Sequence, residues 1–491
     1  MFTAAGELTT DPAGTLNALR QLGVDRVHIY MHWADMAPDP KSPHRPAFDA
    51  TDPGGYPAAG WAPYDAVVRG ARARGMGLDV ALVPPPPRWA EGAGAPDPST
   101  QTFWKPSASQ FGQWVEAAAK RYSGHFTPPG DTSPLPRVTF WSLYNEPNLG
   151  FQLAPQSLQH STVDVSTMMY RQLVDAGWSA LQRTGHGHDT ILIGELGPAG
   201  STTGIGPGRF NSMAPLRFLR GLYCVGADDK PLRGAIASEL QCPTTAAQSA
   251  RFPAAHPGLF QASGVANHPY SQGLPPDQTT PNEPDFTELA ATGKLESTLD
   301  TLLRTYGSHK RLPIWSTEFG YQTTPPDHEA GTTSPGLAAY YINWAEYLTW
   351  LDPRQASFDQ YQLHDGAAGI FATGLLTATG QPKPGYDAYR MPLFLPVTTT
   401  RPRHPLVVWG CVRPAPGAAD TSHRPQTVAI QYQPASGGGF TTVQRVPLTG
   451  PHGYFEVRQI FPGSGSVRLA WRYPNGAQVF SRTQAITLQK S

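Results

Sequence analysis

The chain has 491 residues, enough for two domains, with 37 basic against 37 acidic side chains and a formal net charge of zero. That balance lacks the basic footprint of a nucleic-acid binder, and no apolar run approaches the ~18–20 residues of a membrane-spanning helix. Its 50 Gly and 52 Pro are spread along the whole length beside 12 Trp, 19 Tyr and 20 Phe, which suits a loop-rich globular enzyme and not a disordered chain.

The opening MFTAAGELTTDPAGTL carries neither the basic n-region nor the apolar h-region of a signal peptide. MFTAA reads as a short first strand. TLNALRQLG (15–23) reads as a helix ending at Gly23, followed by the strand VDRVHIYMHW. The same alternation continues: YDAVVRGARARGMG then LDVALVPPP, ASQFGQWVEAAAKRYSG then VTFWSLYNEP, and VSTMMYRQLVDAGWSALQRTG then TILIGEL. It closes with MAPLRFLRGLYC before ASGVANHPY, LESTLDTLLRTYG before LPIWSTEFG, and GLAAYYINWAEYLTWL before ASFDQYQLHD. Seven helix-then-strand units after a first strand give eight strands, the number that closes a TIM (β/α)8 barrel. The rival doubly wound sheet lacks a Gly-rich phosphate loop after an early strand, since GIGPGR (204–209) follows no strand and reads as a plain loop.

From about residue 393 the texture changes to short β-prone runs without helices, such as PLVVWGCV, TVAIQYQP, YFEVRQIF and VRLAWRYP, separated by turn signals including SGGG and PNG. These indicate a small all-β sandwich, so the expected organisation is a barrel over 1–392 and a sandwich over 393–491. Cys224 and Cys242 stand 18 residues apart in a loop-like stretch that a disulfide could staple, which favours a secreted or extracytoplasmic protein whose leader has been removed over a cytoplasmic one. Cys411 reads as a small buried side chain.

In such a barrel the C-terminal strand ends line the reaction site. They supply His32 and Trp33, then Trp89, then Asn145 with Glu146, then Glu195, then His268 with Tyr270, then Glu318, and last His364 with Asp365. Two glutamates on opposite strands suit glycoside hydrolysis, which needs a proton donor at the leaving oxygen and a second carboxylate below the anomeric carbon. Asn145 can hydrogen-bond a sugar hydroxyl. Trp33, Trp89, Trp315 and Tyr321 offer flat faces for sugar rings, although each suits barrel core equally well. His28 and His32 form H-x-x-x-H on a strand with no carboxylate partner motif, so neither a metal nor a cofactor is expected.

WSLYNEPN resembles the acid/base signature of clan A glycoside hydrolases, IWSTEFG their nucleophile signature, and NHPY their His-x-Tyr on the sixth strand. The resemblance spans about residues 1–390 and is nearest to families 39 and 5. It implies a retaining enzyme acting on a carbohydrate, with Glu146 as acid/base, protonated at rest, and Glu318 as ionised nucleophile. It further implies that Tyr270 donates to Glu318 while His268 lines the same side. One departure stands out: where members often carry an Arg on the second strand this chain has His28, with Arg26 one inward step earlier. The sugar stays open, an α-L-arabinofuranoside included, and a carbohydrate-binding barrel that has lost its chemistry is the reading from another class.

Overall fold

The computed structural model describes residues 1–95, 103–158, 163–201 and 212–489; GIGPGR lies outside the described residues. Eight strands follow one another in chain order: β1 (Phe2–Thr3), β2 (Arg26–His32), β3 (Gly77–Val83), β4 (Phe140–Leu143), β5 (Thr190–Leu196), β6 (Gly264–Asn267), β7 (Ile314–Ser316) and β8 (Gln355–Ser357). Each pairs in parallel with the next. Past β8 the chain meets β1 again, where Thr3 N–H donates to the Gln360 carbonyl at 3.0 Å. The sheet thus curls into a TIM-like barrel despite a first strand of only two residues.

The crossovers are the helices Pro12–Leu22, Ala58–Ala73, Ala108–Arg121, Val165–Arg183, Pro215–Leu222, Thr292–Thr305 and Pro335–Leu351. They start where the local chemistry permits. Ser107 accepts from the Gln110 amide, and Ser334, followed by a proline, accepts from that of Leu337. The helix Val165–Arg183 buries Met169, Tyr170, Leu173, Val174, Gly177 and Leu181, a stripe at three- and four-residue spacing. Between β5 and β6 the chain adds the short helices Gly234–Glu239, Ala246–Ala255 and Pro257–Gln261, which the strand-helix alternation does not anticipate. In this excursion Cys224 and Cys242 are bonded, with Cα atoms 5.5 Å apart. No helix among the described residues is long and apolar enough to cross a membrane.

Two compact units result, and they interleave in sequence. One comprises Met1–Leu16, Arg26–Phe319 and Arg354–Gln360 and holds all eight barrel strands; the other comprises Asn17–Asp25, Gly320–Pro353 and Tyr361–Ser491. The second contains β9 (Leu393–Phe394), β10 (Thr399–Thr400), β11 (Leu406–Cys411), β12 (Gln426–Pro434), β13 (Thr441–Leu448), β14 (Tyr454–Gln459), β15 (Gly465–Arg472), β16 (Gln478–Phe480) and β17 (Gln484–Leu488). They form a six-stranded and a three-stranded sheet, antiparallel except where β10 meets β17. One apolar cluster draws on both sheets, from Leu393 and Val408 to Ile430, Leu469 and Ile486. The region is not helix-free as expected, since Ala415–Ser422 forms a helix between β11 and β12.

The eighth strand is also shorter than its apolar run suggests. It stops at Ser357, so Asp359 and Gln360 take the strand-end place expected of His364 and Asp365. Asp365 instead accepts from the Lys383 ammonium, 2.9 Å from each carboxylate oxygen.

Candidate active site

Inside the barrel, Phe140, Leu192, Ala266 and Trp315 from four successive strands form an apolar floor. Trp315 meets Phe140 edge to face with ring centroids 4.9 Å apart. Trp33, 1% exposed, stacks on Trp114 at 5.7 Å and meets Trp89 edge-on. Tyr321, in the other unit, is 2% exposed and packs on Tyr341. These four aromatics sit as packing residues, with no ring surface of Trp33 or Tyr321 open to a sugar.

The strand ends hold the polar chemistry. Past β4 the backbone enters left-handed geometry at Tyr144 (φ 77°) and Glu146 (φ 40°), an uncommon and strained choice for residues with a Cβ. The Glu146 amide donates to the Glu195 carbonyl at 2.8 Å, which fixes its direction. The two amides flanking the Glu146-Pro147 pair have different work. Asn148 is wholly buried and saturated: its Nδ2 donates to the Gly197 and Met213 carbonyls, and its Oδ1 accepts from Gly197 N. Asn145 Oδ1 is buried with no hydrogen-bond partner, an acceptor left for something the protein does not itself supply.

β5 carries a second distortion. Strand alternation with Leu192 on the barrel floor would turn Glu195 toward the helices, yet its pairing with β6 slips between Ile193 and Leu196. Gly194 (φ 103°) and Glu195 (φ 46°) form the bulge, which aims the carboxylate inward. A side chain at Gly194 would sit 2.6 Å from the Ala266 carbonyl oxygen, so only glycine fits. Tyr170 secures the bulge, accepting from Gly194 N at 2.7 Å and donating to the Leu143 carbonyl at 2.9 Å.

His268, wholly buried, stands at the centre. Its Nδ1 lies 3.0 Å from Glu146 Oε1 and 3.3 Å from Glu318 Oε1, and its Nε2 lies 2.8 Å from Glu195 Oε2. Glu318 accepts from Tyr270 at 2.8 Å on one oxygen and from Tyr30 on the other. Burial pushes the Glu318 carboxyl up to about 7, with the nearby Glu146 charge adding to the rise, against the pull of His268 and both tyrosine hydroxyls. Burial also depresses His268, but the charges and hydrogen bonds of Glu318, Glu146 and Glu195 outweigh it and raise the imidazole well above its usual range.

Arg26 does not take up the support of Glu318. Its guanidinium lies 4.6 Å from the Phe140 ring centroid, at the floor. Tyr30 supplies that support instead, and its position was open to inference: His28, Tyr30 and His32 are alternate residues of one strand and face the same way.

Among the described residues two trios have oxygen and nitrogen atoms within 4.8 Å of one another: Glu146, His268 and Glu318, and below them His28, Asp79 and Glu195. In the first, both His268 nitrogens already face carboxyl oxygens, Nδ1 those of Glu146 and Glu318 and Nε2 that of Glu195. In the second, Glu195 Oε2 takes His268 and the Thr317 hydroxyl and Asp79 Oδ2 takes the Ser142 hydroxyl at 3.2 Å, while Glu195 Oε1, Asp79 Oδ1 and His28 Nε2 are buried without a hydrogen-bond partner. His32, the other member of H-x-x-x-H, has its Nδ1 on the Pro84 carbonyl at 2.7 Å.

No family model matches the chain, and no curated protein matches it in sequence. Similar solved structures include an endo-beta-1,4-mannanase from Thermotoga petrophila, at 12% identity and a TM-score of 0.42, covering 100% of this chain and 97% of the other. Another is a glucosidase from Croceicoccus marinus, at 11% identity and a TM-score of 0.47, covering 99% and 92%. A third is a beta-glucosidase from Thermotoga maritima, at 14% identity and a TM-score of 0.45, covering 78% and 84%.

Proposed function

We propose that the protein is a retaining glycoside hydrolase that cleaves O-glycosidic bonds of an oligo- or polysaccharide by double displacement. The observation that carries this reading is the closeness of Glu146 and Glu318, which have oxygens within 4.8 Å of each other around His268 Nδ1. Retaining enzymes set their carboxyl groups about 5–5.5 Å apart, whereas inverting ones leave roughly 6.5–9.5 Å for an intervening water.

In the first step a Glu318 oxygen bonds to the anomeric carbon as the bond to the leaving oxygen breaks, and Glu146 gives that oxygen its proton. In the second, Glu146 takes a proton from water, whose oxygen attacks the anomeric carbon and releases Glu318 as carboxylate. Tyr30 and Tyr270 can only donate to a carboxylate, so they hold Glu318 in place and favour its ionised form. The unpartnered Asn145 Oδ1 is suited to a sugar hydroxyl beside the reacting carbon. The Cys224–Cys242 bond supports an extracytoplasmic setting.

The test is product release from a panel of aryl glycosides and polysaccharides by wild type and Glu318→Gln. One sugar class should be turned over by the wild type, with the first-formed product retaining its anomeric configuration, and the variant should lose about a thousand-fold or more in kcat. Equal turnover by both proteins, or an inverted first product, refutes the mechanism.

A further inference from the structure

Glu195 is a costly residue for this chain to keep. It is a carboxylate with no exposed surface, set on two consecutive left-handed residues in a bulge that has no other evident use. Buried out of reach of a substrate, it acts through what it touches. Its Oε2 takes His268 Nε2 at 2.8 Å and the Thr317 hydroxyl at 2.5 Å, and its carbonyl takes the Glu146 amide.

We infer that Glu195 is a positioning residue that keeps His268 doubly protonated, so that the imidazolium serves as the fixed cation between Glu146 and Glu318. The inference rests on reading those two glutamates as the catalytic pair. His268 can donate from Nδ1 toward Glu146 and Glu318 and from Nε2 to Glu195 at once only when both nitrogens carry protons, and an ionised Glu195 is the acceptor that retains the second of them. This places a positive charge where Arg26, occupied at Phe140, supplies none.

The other groups around His268 cannot replace Glu195. From β2, His28 is held down to about 4 by burial, so it stays neutral at pH 7 and adds no negative charge. Asp79 from β3 and Asp359 past β8 are both pushed well above the usual carboxylate value by burial, which disfavours their charged forms. Tyr30 and Tyr270 spend their hydroxyls on Glu318. Glu146 and Glu318 change charge during the reaction. Glu195 is different: burial opposes its ionisation, yet the His268 hydrogen bond leads the effects that hold its carboxyl below the usual value.

The experiment compares Glu195→Gln with wild type by side-chain NMR of 15N-histidine-labelled protein from pH 6 to 9. A glutamine amide oxygen can still accept from Nε2 but brings no charge. In the wild type, His268 should stay doubly protonated across the range. In the variant it should titrate lower by about one pH unit or more, and the alkaline limb of kcat/KM on any glycoside found to be a substrate should move down equally. Thr317→Val, which frees one Glu195 contact, should shift both in the same direction by less, and serves if the glutamine variant does not fold. An unchanged His268 titration in both folded variants overturns the inference, even where activity falls uniformly at every pH, since that is what mere structural damage would give. The NMR reading needs no turnover. Silence on every sugar would sink the hydrolase assignment while still deciding the role of Glu195.

Discussion

Half-buried Glu146 and wholly buried His28 illustrate two different uses of an ionisable side chain in one barrel. In the proposed mechanism Glu146 is the general acid, a role that matters most when the leaving group is poor. Glu146→Gln should therefore lower kcat about 10²–10⁴-fold on unactivated glycosides and far less on nitrophenyl ones, a contrast steady-state kinetics can read. His28 instead reports on stability. Wholly buried, it is depressed by burial from 6.5 to about 4, so between those values the unfolded chain binds the proton and the fold does not. Stability from this residue is thus present above pH 6.5 and lost as pH falls toward 4, by about 3 kcal/mol in all. His28→Gln should flatten that slope in denaturation curves taken from pH 7 to 4, and an equally steep loss would show that His28 is not its source. Glu146, Glu318, His268 and Tyr270 were legible because each ends a strand in a compact motif. Tyr30 carries no such motif, although the two-residue alternation of β2 places it on one face with His28 and His32.

At the scale of elements, bulges and turns govern what patterning cannot reach. Alternation sends Glu195 outward, and only the glycine before it hints otherwise; the slip in register appears with the neighbouring strand. Tyr170, on the helix Val165–Arg183, ties the last carbonyl of β4 to the bulge of β5. Tyr170→Phe should leave both backbone groups unsatisfied and cost about 1–3 kcal/mol in urea unfolding, with activity falling because Glu195 and Glu146 lose their common brace. A variant as stable as wild type would mean that the bulge holds itself. Sequence texture alone does not mark where pairing stops, and β8 ends at Ser357, so Asp359 and Gln360 stand at the strand end in place of His364 and Asp365. The disulfide closes an excursion of 18 residues, and its reduction should cost about 3 kcal/mol, readable as a lowered urea midpoint.

For the molecule as a whole, the barrel count was readable because seven helices and eight strands alternate with little interruption, whereas the grouping into compact units was not. Residues 320–353 and 361–392 read as the last helix and strand of a barrel, yet they cluster with the C-terminal sheets. One reason is chemical. Glu346, 1% exposed on the helix Pro335–Leu351, accepts from Arg413 at 2.7 and 2.8 Å and from the Tyr454 hydroxyl at 2.6 Å, and Asn343 of the same helix bonds the amide of Leu393. Such partners lie 50 to 108 residues apart, beyond any local pattern. Arg413→Met should strand the Glu346 carboxylate and cost about 3–5 kcal/mol, whereas changing both to apolar residues should restore most of it; differential scanning calorimetry of the three variants would tell.

The bond that joins β1 to the end of β8 also has a meaning in time. Thr3 reaches Asp359 and Gln360, partners about 356 positions later, through its hydroxyl and its amide. At a synthesis rate of about 5–20 residues per second, the first strand waits roughly 20–70 s for the residues that will cover its edge. During that interval Phe2, fully buried in the finished barrel, and an unpaired strand edge are offered to any neighbour, so the nascent chain passes through a sticky state that the completed barrel no longer has.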